Sequence, residues 1–222
     1  MSYVLNGIYG RPRGKTGGVV WGAARSQDGK VATAREYVIP HDPRTTDQIQ
    51  RRNIFTEAVA VARAIGSVLW QADWNNSEGK LPGWQSLLSY LIEDMEVSNS
   101  DIKIIDSPAA KSLGPCYMPT MSSAGEVPSK ITLTWGTEIV GDHCAETDVL
   151  RGFTAVQTNP GTAESIQLLL SGTARSAGTY SIADLTSSTD YFCMYWFRHT
   201  ESDGSYTYSP CFADIVTSGA AS

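Results

Sequence analysis

The stretch Pro40–Trp74, PHDPRTTDQIQRRNIFTEAVAVARAIGSVLWQADW, decides how the rest of the chain is read. Pro40 and Pro43 hold the approach extended, because a residue before proline is pushed out of the α region. Thr45 with Gln48 three residues on fits a capping box, in which each side chain satisfies the other residue's free backbone N–H. From there Ile49, the Ile54–Phe55 pair, Ala58, Val61, Ala62, Ile65, Val68, Leu69 and Ala72 recur at spacings of three and four, giving an apolar face that broadens toward the C-terminal end. The pattern predicts one long helix over 45–74, a rod of roughly 42 Å at the usual rise per residue. Such a rod is longer than a domain of this size needs internally, so part of it is expected to be buried by another chain. The alternative is a helix covered wholly by its own domain.

Before the helix, Gly17–Arg25 and Val31–Ile39 read as two strands joined near Gln27–Lys30, where Asp28-Gly29 is a hairpin signal. Residues 1–18 form a glycine-punctuated arm, expected to be ordered by contact with another subunit. The arm contains GRPRGKTGG, which is not a phosphate-binding loop. The position five before Gly14 is Tyr9, and a strand follows where a helix N-terminus would have to face the phosphate. After the helix, NNSEGKLPG is a turn. A second helix over 82–96 then places Trp84, Leu87, Leu88, Leu91, Ile92 and Met95 on one stripe, expected to pack antiparallel on Val61–Trp70. Ile102–Ile105 reads as a short strand, and 107–125, with Pro108, Pro115 and Pro119, as an irregular linker.

From Val127 the periodicity changes to two. Ile131, Leu133 and Trp135 alternate with polar residues, and Phe153–Val156, Ile166–Leu170, Tyr180–Ile182, Tyr191–Phe197 and Tyr206–Ile215 follow at spacings suited to a sandwich. The last two should pair around Ser202–Gly204. The strand Phe192–Phe197 carries large residues on both faces.

Composition excludes several classes. With 41% apolar and 18% charged residues, the chain is an ordinary globular one, and its longest apolar run, near Ala64–Trp70, falls far short of a membrane span. Met1–Gly7 lacks a basic region followed by an apolar segment, so no export signal is expected. Cys116, Cys144, Cys193 and Cys211 stand far apart with no C-x-x-C pair, which predicts free thiols rather than a zinc knuckle or a disulfide framework. Residues 1–63 hold ten Lys/Arg against five Asp/Glu, or +5, which leaves −11 for the remainder of a chain whose net charge is −6. Opposite signs at the two ends suit packing against copies of the same chain or an acidic partner. Arg11, Arg13, Lys15, Arg51, Arg52 and Arg63 are the candidate assembly contacts, with Glu93, Asp94, Glu96 and the Glu138–Asp148 region as acidic counterparts on a neighbouring chain. The basic residues are spread out and lack a helix-turn-helix, zinc-finger or RNP pattern, so direct nucleic-acid contact is not expected.

Two resemblances add to this reading. PSKITLTWGTE, with Trp135, and Leu185–Tyr191, LTSSTDY, resemble the second-strand signature and the L-x-P-x-T-x-Y tyrosine corner of fibronectin type III modules, with Ser187 in place of the proline. The match covers about 119–217 and implies that Trp135 and Tyr191 are structural. GKTGGVVW followed by REYVIPHDPRTTDQIQRRNIF resembles a G-K-x-G-x-x-V…N-P-R-T-x-x-Q-x-x-x-R-x-x-F arrangement of uncharacterised phage and prophage proteins, with Asp42 where Asn is usual. This resemblance implies a virion component, made in the host cytoplasm and assembled with itself and other virion proteins.

No G-x-S-x-G or H-E-x-x-H pattern occurs, and His41, His143 and His199 lie far apart. The tightest polar cluster, Asp142–His143–Cys144–x–Glu146, reads as a loop, because adjacent residues of an extended chain point in opposite directions. Catalytic, cofactor and metal sites are therefore not expected. The fold expected is α+β: a β-hairpin and two-helix assembly domain over 1–118, and a fibronectin-III-like sandwich over 119–222. The function expected is a structural subunit of a phage particle, in a capsid-decoration, connector or tail position. The alternative is a binding module or adhesin presenting Trp196, Tyr206 and Tyr208 to carbohydrate or a host receptor.

Overall fold

Consecutive side chains of a strand point to opposite faces, so a strand with bulky apolar residues at every position must be covered on both sides. The strand Asp190–Thr200 meets that condition in the computed structural model, which describes residues 14–16, 19–26, 29–36, 44–74, 82–126, 129–162, 166–170 and 172–220. Tyr191, Cys193, Tyr195 and Phe197 enter one core, while Phe192, Met194 and Trp196 enter another.

The chain divides into two compact units, Met1–Thr45 and Thr46–Ser222. In the first, β1 (Gly14–Thr16), β2 (Val19–Ser26) and β3 (Gly29–Glu36) form an antiparallel sheet in that order, with Ser26 opposite Gly29 and Val19 opposite Glu36. The arm read over 1–18 thus contributes a short strand at its end. Its remainder, the proline-set approach at 40–43, the Gln27–Asp28 turn and the turn at 75–80 lie outside the described residues.

In the second unit the helical run is interrupted. α1 (Thr46–Ile65) ends at Gly66, whose φ of +74° is the left-handed conformation that closes helices, and α2 (Ser67–Asp73) follows. The single rod expected over 45–74 is therefore a 20-residue helix and a short second one. α3 (Gly83–Glu93) contacts both, and Leu87, Tyr90 and Leu91 join Val61, Ala62, Ile65 and Leu69 in one core. β4 (Met95–Ser98) and β5 (Asp101–Ile104) form a hairpin in place of the last turn expected for this helix. Residues 105–120 are irregular but tied down. Tyr90 Oη donates to Ala109 O at 2.7 Å, Cys211 N to Lys111 O at 2.8 Å and Cys116 N to Tyr208 O at 3.0 Å, and Leu113 is buried.

The sandwich follows. β6 (Met121–Glu126), β7 (Lys130–Trp135) and β10 (Thr179–Ile182) make one sheet, ordered β10-β7-β6. β8 (Val149–Val156), β9 (Ile166–Leu169) and β11 (Asp190–Thr200) make the other with β12 (Tyr206–Tyr208) and β13 (Phe212–Thr217). β12 and β13 both pair with β11, so the strand expected over 206–215 is broken at Ser209–Cys211. Tyr191 Oη accepts the Thr186 N–H at 2.9 Å, a hydrogen bond back along the chain that fixes the corner leading into β11.

The α+β architecture expected from the sequence is corrected by this arrangement. Among the described residues strand exceeds helix, and the strands lie in several antiparallel sheets. The helices pack on the larger sheet: Ala58, Val61, Ile65, Leu69, Trp74, Leu87 and Leu91 share one core with Phe153, Phe192, Met194 and Trp196. The physical reason is the two-faced β11, whose outer side chains need a partner that the smaller sheet cannot supply.

Candidate functional site

Each residue of an α-helix advances about 100° around the axis, so residues three, four and seven apart share a face. On α1 the buried stripe is Ala58, Val61, Ala62 and Ile65, and its continuation toward the N-terminus is Ile54, Arg51, Gln50 and Asp47. The stripe loses its cover there. Every residue from Thr46 to Asn53 is exposed, as are Ile49 at 44% and Phe55 at 51%. The uncovered part of the stripe forms one wall of a groove of about 650 Å³, and the opposite wall is Ile92, Glu93, Met95, Glu96 and Val97 from the end of α3 and from β4. Ile54, Ile92, Met95 and Val97 supply the apolar lining, and among the described residues that line the groove Asp47, Glu93 and Glu96 outnumber the single cation Arg51.

This geometry sorts the basic residues proposed from the sequence. Arg51 lines the groove together with Glu93 and Glu96 of the same chain. Arg52 and Arg63 are both exposed and lie along the opposite side of the helix, eleven residues or about three turns apart. Arg11 and Arg13 lie outside the described residues. Lys15 is in β1, and its side chain also lies outside them. The groove itself was not anticipated, although the apolar spacing that thins toward residue 46 was its signal.

The aromatic platform proposed as the alternative is not formed. Trp196 and Tyr208 are fully buried; of the three, only Tyr206 is exposed, at 45%, with the Arg198 guanidinium stacked 4.4 Å from its ring centre. Trp196 is buried because its strand face is the one the helices cover. It meets Trp74 edge to face at 6.2 Å and donates its indole N–H to Asp73 Oδ2 at 2.9 Å. The same oxygen accepts Arg151 Nε at 2.7 Å, and both ionic side chains are buried. Burial holds the Asp73 carboxyl above its ordinary value, and Arg151 and the Trp196 indole offset part of that rise.

A second polar cluster ties the far end of the sandwich. Asp148 Oδ1 meets His199 Nδ1 at 2.7 Å, and Oδ2 accepts from Ala145 N at 3.0 Å and meets Arg175 Nη2 at 3.1 Å. Arg175 also donates to Tyr117 O and lies 4.3 Å over the Phe197 ring, while its own carbonyl accepts Trp135 Nε1 at 2.7 Å. Cys116 Sγ sits 3.8 Å from Asp148 Oδ2, the oxygen that His199 does not touch, so thiol and imidazole are on different sides of the carboxylate. Burial pushes that thiol up to about 12, which keeps it protonated. These contacts fasten loops to strands and present no activated nucleophile.

The cluster at Asp142–Glu146 is dispersed. His143 turns to Glu201 at 2.7 Å, and Cys144 Sγ donates to the Val140 carbonyl at 2.8 Å. Among the described residues no group of three or more His, Cys, Asp or Glu side chains is placed to hold a metal ion. No protein-family model matches the chain, and no curated protein is significantly similar to it.

Proposed function

We propose that the chain is a structural subunit of a bacteriophage particle, working through protein–protein assembly in a capsid-decoration, connector or tail position. The observation that carries the reading is the uncovered first half of α1, where two turns of helix project exposed apolar and charged side chains beyond the core that holds the second half. An exposed helix of this length gains little stability from its own propensity, and a partner surface offsets the cost of ordering it. The G-K-x-G…P-R-T-x-x-Q resemblance supports the phage setting. The Tyr191 corner and the two antiparallel sheets support the fibronectin-type-III resemblance of 119–217. A ligand-presenting role has weaker support, since two of its three aromatic residues lie inside the protein.

The test is size-exclusion chromatography of the full chain with light scattering over a concentration series, combined with immunogold labelling of phage particles from the source. A defined oligomer and labelled particles are expected. A monomer at every concentration, with unlabelled particles, would sink the proposal.

A further inference from the structure

We infer that the groove between α1 and β4 seats residues 1–13 of a second copy of the chain. The inference rests on the assembly reading above and names the segment that makes the contact. Three observations lead to it. The groove is the continuation of the buried stripe of α1, and its apolar lining is the half-buried Ile54, Ile92 and Val97 with the buried Met95. Its rim is acidic, with Asp47, Glu93 and Glu96 against Arg51.

The complementary segment is residues 1–13, MSYVLNGIYGRPR. It holds Tyr3, Val4, Leu5, Ile8 and Tyr9 to meet the apolar wall, Arg11 and Arg13 to meet the rim, and no acidic residue. An apolar stretch followed by a basic one matches an apolar groove with an acidic rim in both chemistries at once.

The assembly reading above requires a contact between chains, so the segment is that of another copy, and the acidic rim with the basic Arg11 and Arg13 gives the two chains complementary charge.

The experiment uses full-length chains, one population light and one isotopically heavy, with a photo-crosslinking benzophenone amino acid in place of Tyr9. Crosslinks from residue 9 of one isotope to residues 47–54 or 92–97 of the other are expected. Crosslinks confined to one isotope, or falling elsewhere, would overturn the inference.

A charge swap gives an independent readout. Glu93→Lys with Glu96→Lys should weaken self-association about tenfold at low salt, the scale of two or three exposed ion pairs. Adding Arg11→Glu and Arg13→Glu to that variant should restore it. Absence of restoration, with circular dichroism unchanged, would also overturn the inference. If oligomers persist without crosslinks in the groove, this inference fails and the assembly reading stands. If the wild-type chain is monomeric throughout, both fail.

Discussion

Asp73 and Arg151 stand 78 residues apart and each would pass for a surface charge in the sequence, yet they meet at 2.7 Å with almost no exposure. A buried ion pair is costly to halve: removing one partner strands the other charge away from water, typically at about 3–5 kcal/mol, while replacing both by apolar residues is often tolerated. Asp73→Ala should therefore destabilise the protein by about 3–5 kcal/mol in urea unfolding. Asp73→Leu combined with Arg151→Met should cost less than either single change, and a cost equal to the sum of the two single changes would show that the pair is not energetically coupled. The buried thiols make a different prediction. Cys193 and Cys116 are pushed up to about 12 and Cys211 to about 11 by burial, from an ordinary value of 9.0. Between pH 9 and those values the unfolded chain releases protons that the folded chain retains, so stability present below pH 9 falls as pH rises. Urea midpoints should decline from pH 8 to pH 10, and the decline should flatten in a Cys116→Ala, Cys193→Ala, Cys211→Ala variant. All four cysteines are free and buried, so a thiol reagent should label them rapidly only in denaturant.

Gly66 separates α1 from α2 at a φ of +74°, with nothing within 4 Å of where a Cβ would stand, so any penalty for a side chain there comes from the backbone alone. Gly66→Ala should cost about 1–2 kcal/mol, the price of a left-handed L-residue, and Gly66→Asn less, because asparagine tolerates that region. Equal midpoints for wild type and Gly66→Ala would mean that the helix can straighten. On the outer side of α1, Arg52→Glu with Arg63→Glu reverses two exposed charges along one line of the rod. If that side joins the assembly contact, self-association should weaken and its salt dependence should change across a salt series; unchanged behaviour would mark a solvated face. Much at this scale was legible in the sequence. The alternation of Ile131, Leu133 and Trp135 marked β7, the stripe from Trp84 to Ile92 marked α3, and the Asp203–Gly204 signal placed the turn between β11 and β12. Gly66 was a legible stop that the apolar spacing on either side of it masked. The outer cover of β11 was not legible. Phe192, Met194 and Trp196 announce that something must cover them, but a period of two cannot say which distant element does. The groove was half legible, since a thinning apolar face shows where a helix leaves its core and not what stands across from it.

For the second compact unit as a whole, the shared core decides which pieces of the chain fold alone. Phe153, Phe192, Met194 and Trp196 form the outer face of the larger sheet and are buried by residues of α1, α2 and α3. A fragment of residues 119–222 would expose all four, at about 1.5–3 kcal/mol each, or roughly 6–12 kcal/mol together. That sum equals the entire stability of a typical domain, about 5–15 kcal/mol. The same cut removes Asp73 and leaves the Arg151 guanidinium without its buried partner. The tyrosine corner and the inter-sheet core, with Trp135 edge to face on Phe197 at 5.7 Å, remain in the fragment, so strand structure should survive in part. Residues 119–222 expressed alone should thus show sheet-type circular dichroism, bind a hydrophobic dye and melt without a sharp transition. Residues 46–222 keep the helices on the sheet and form a compact unit. That longer fragment should unfold cooperatively, within a few degrees of the full chain. A sharp, dye-free transition for residues 119–222 would show that the smaller sheet and the inter-sheet core suffice, and that the helices are held by the sandwich without stabilising it.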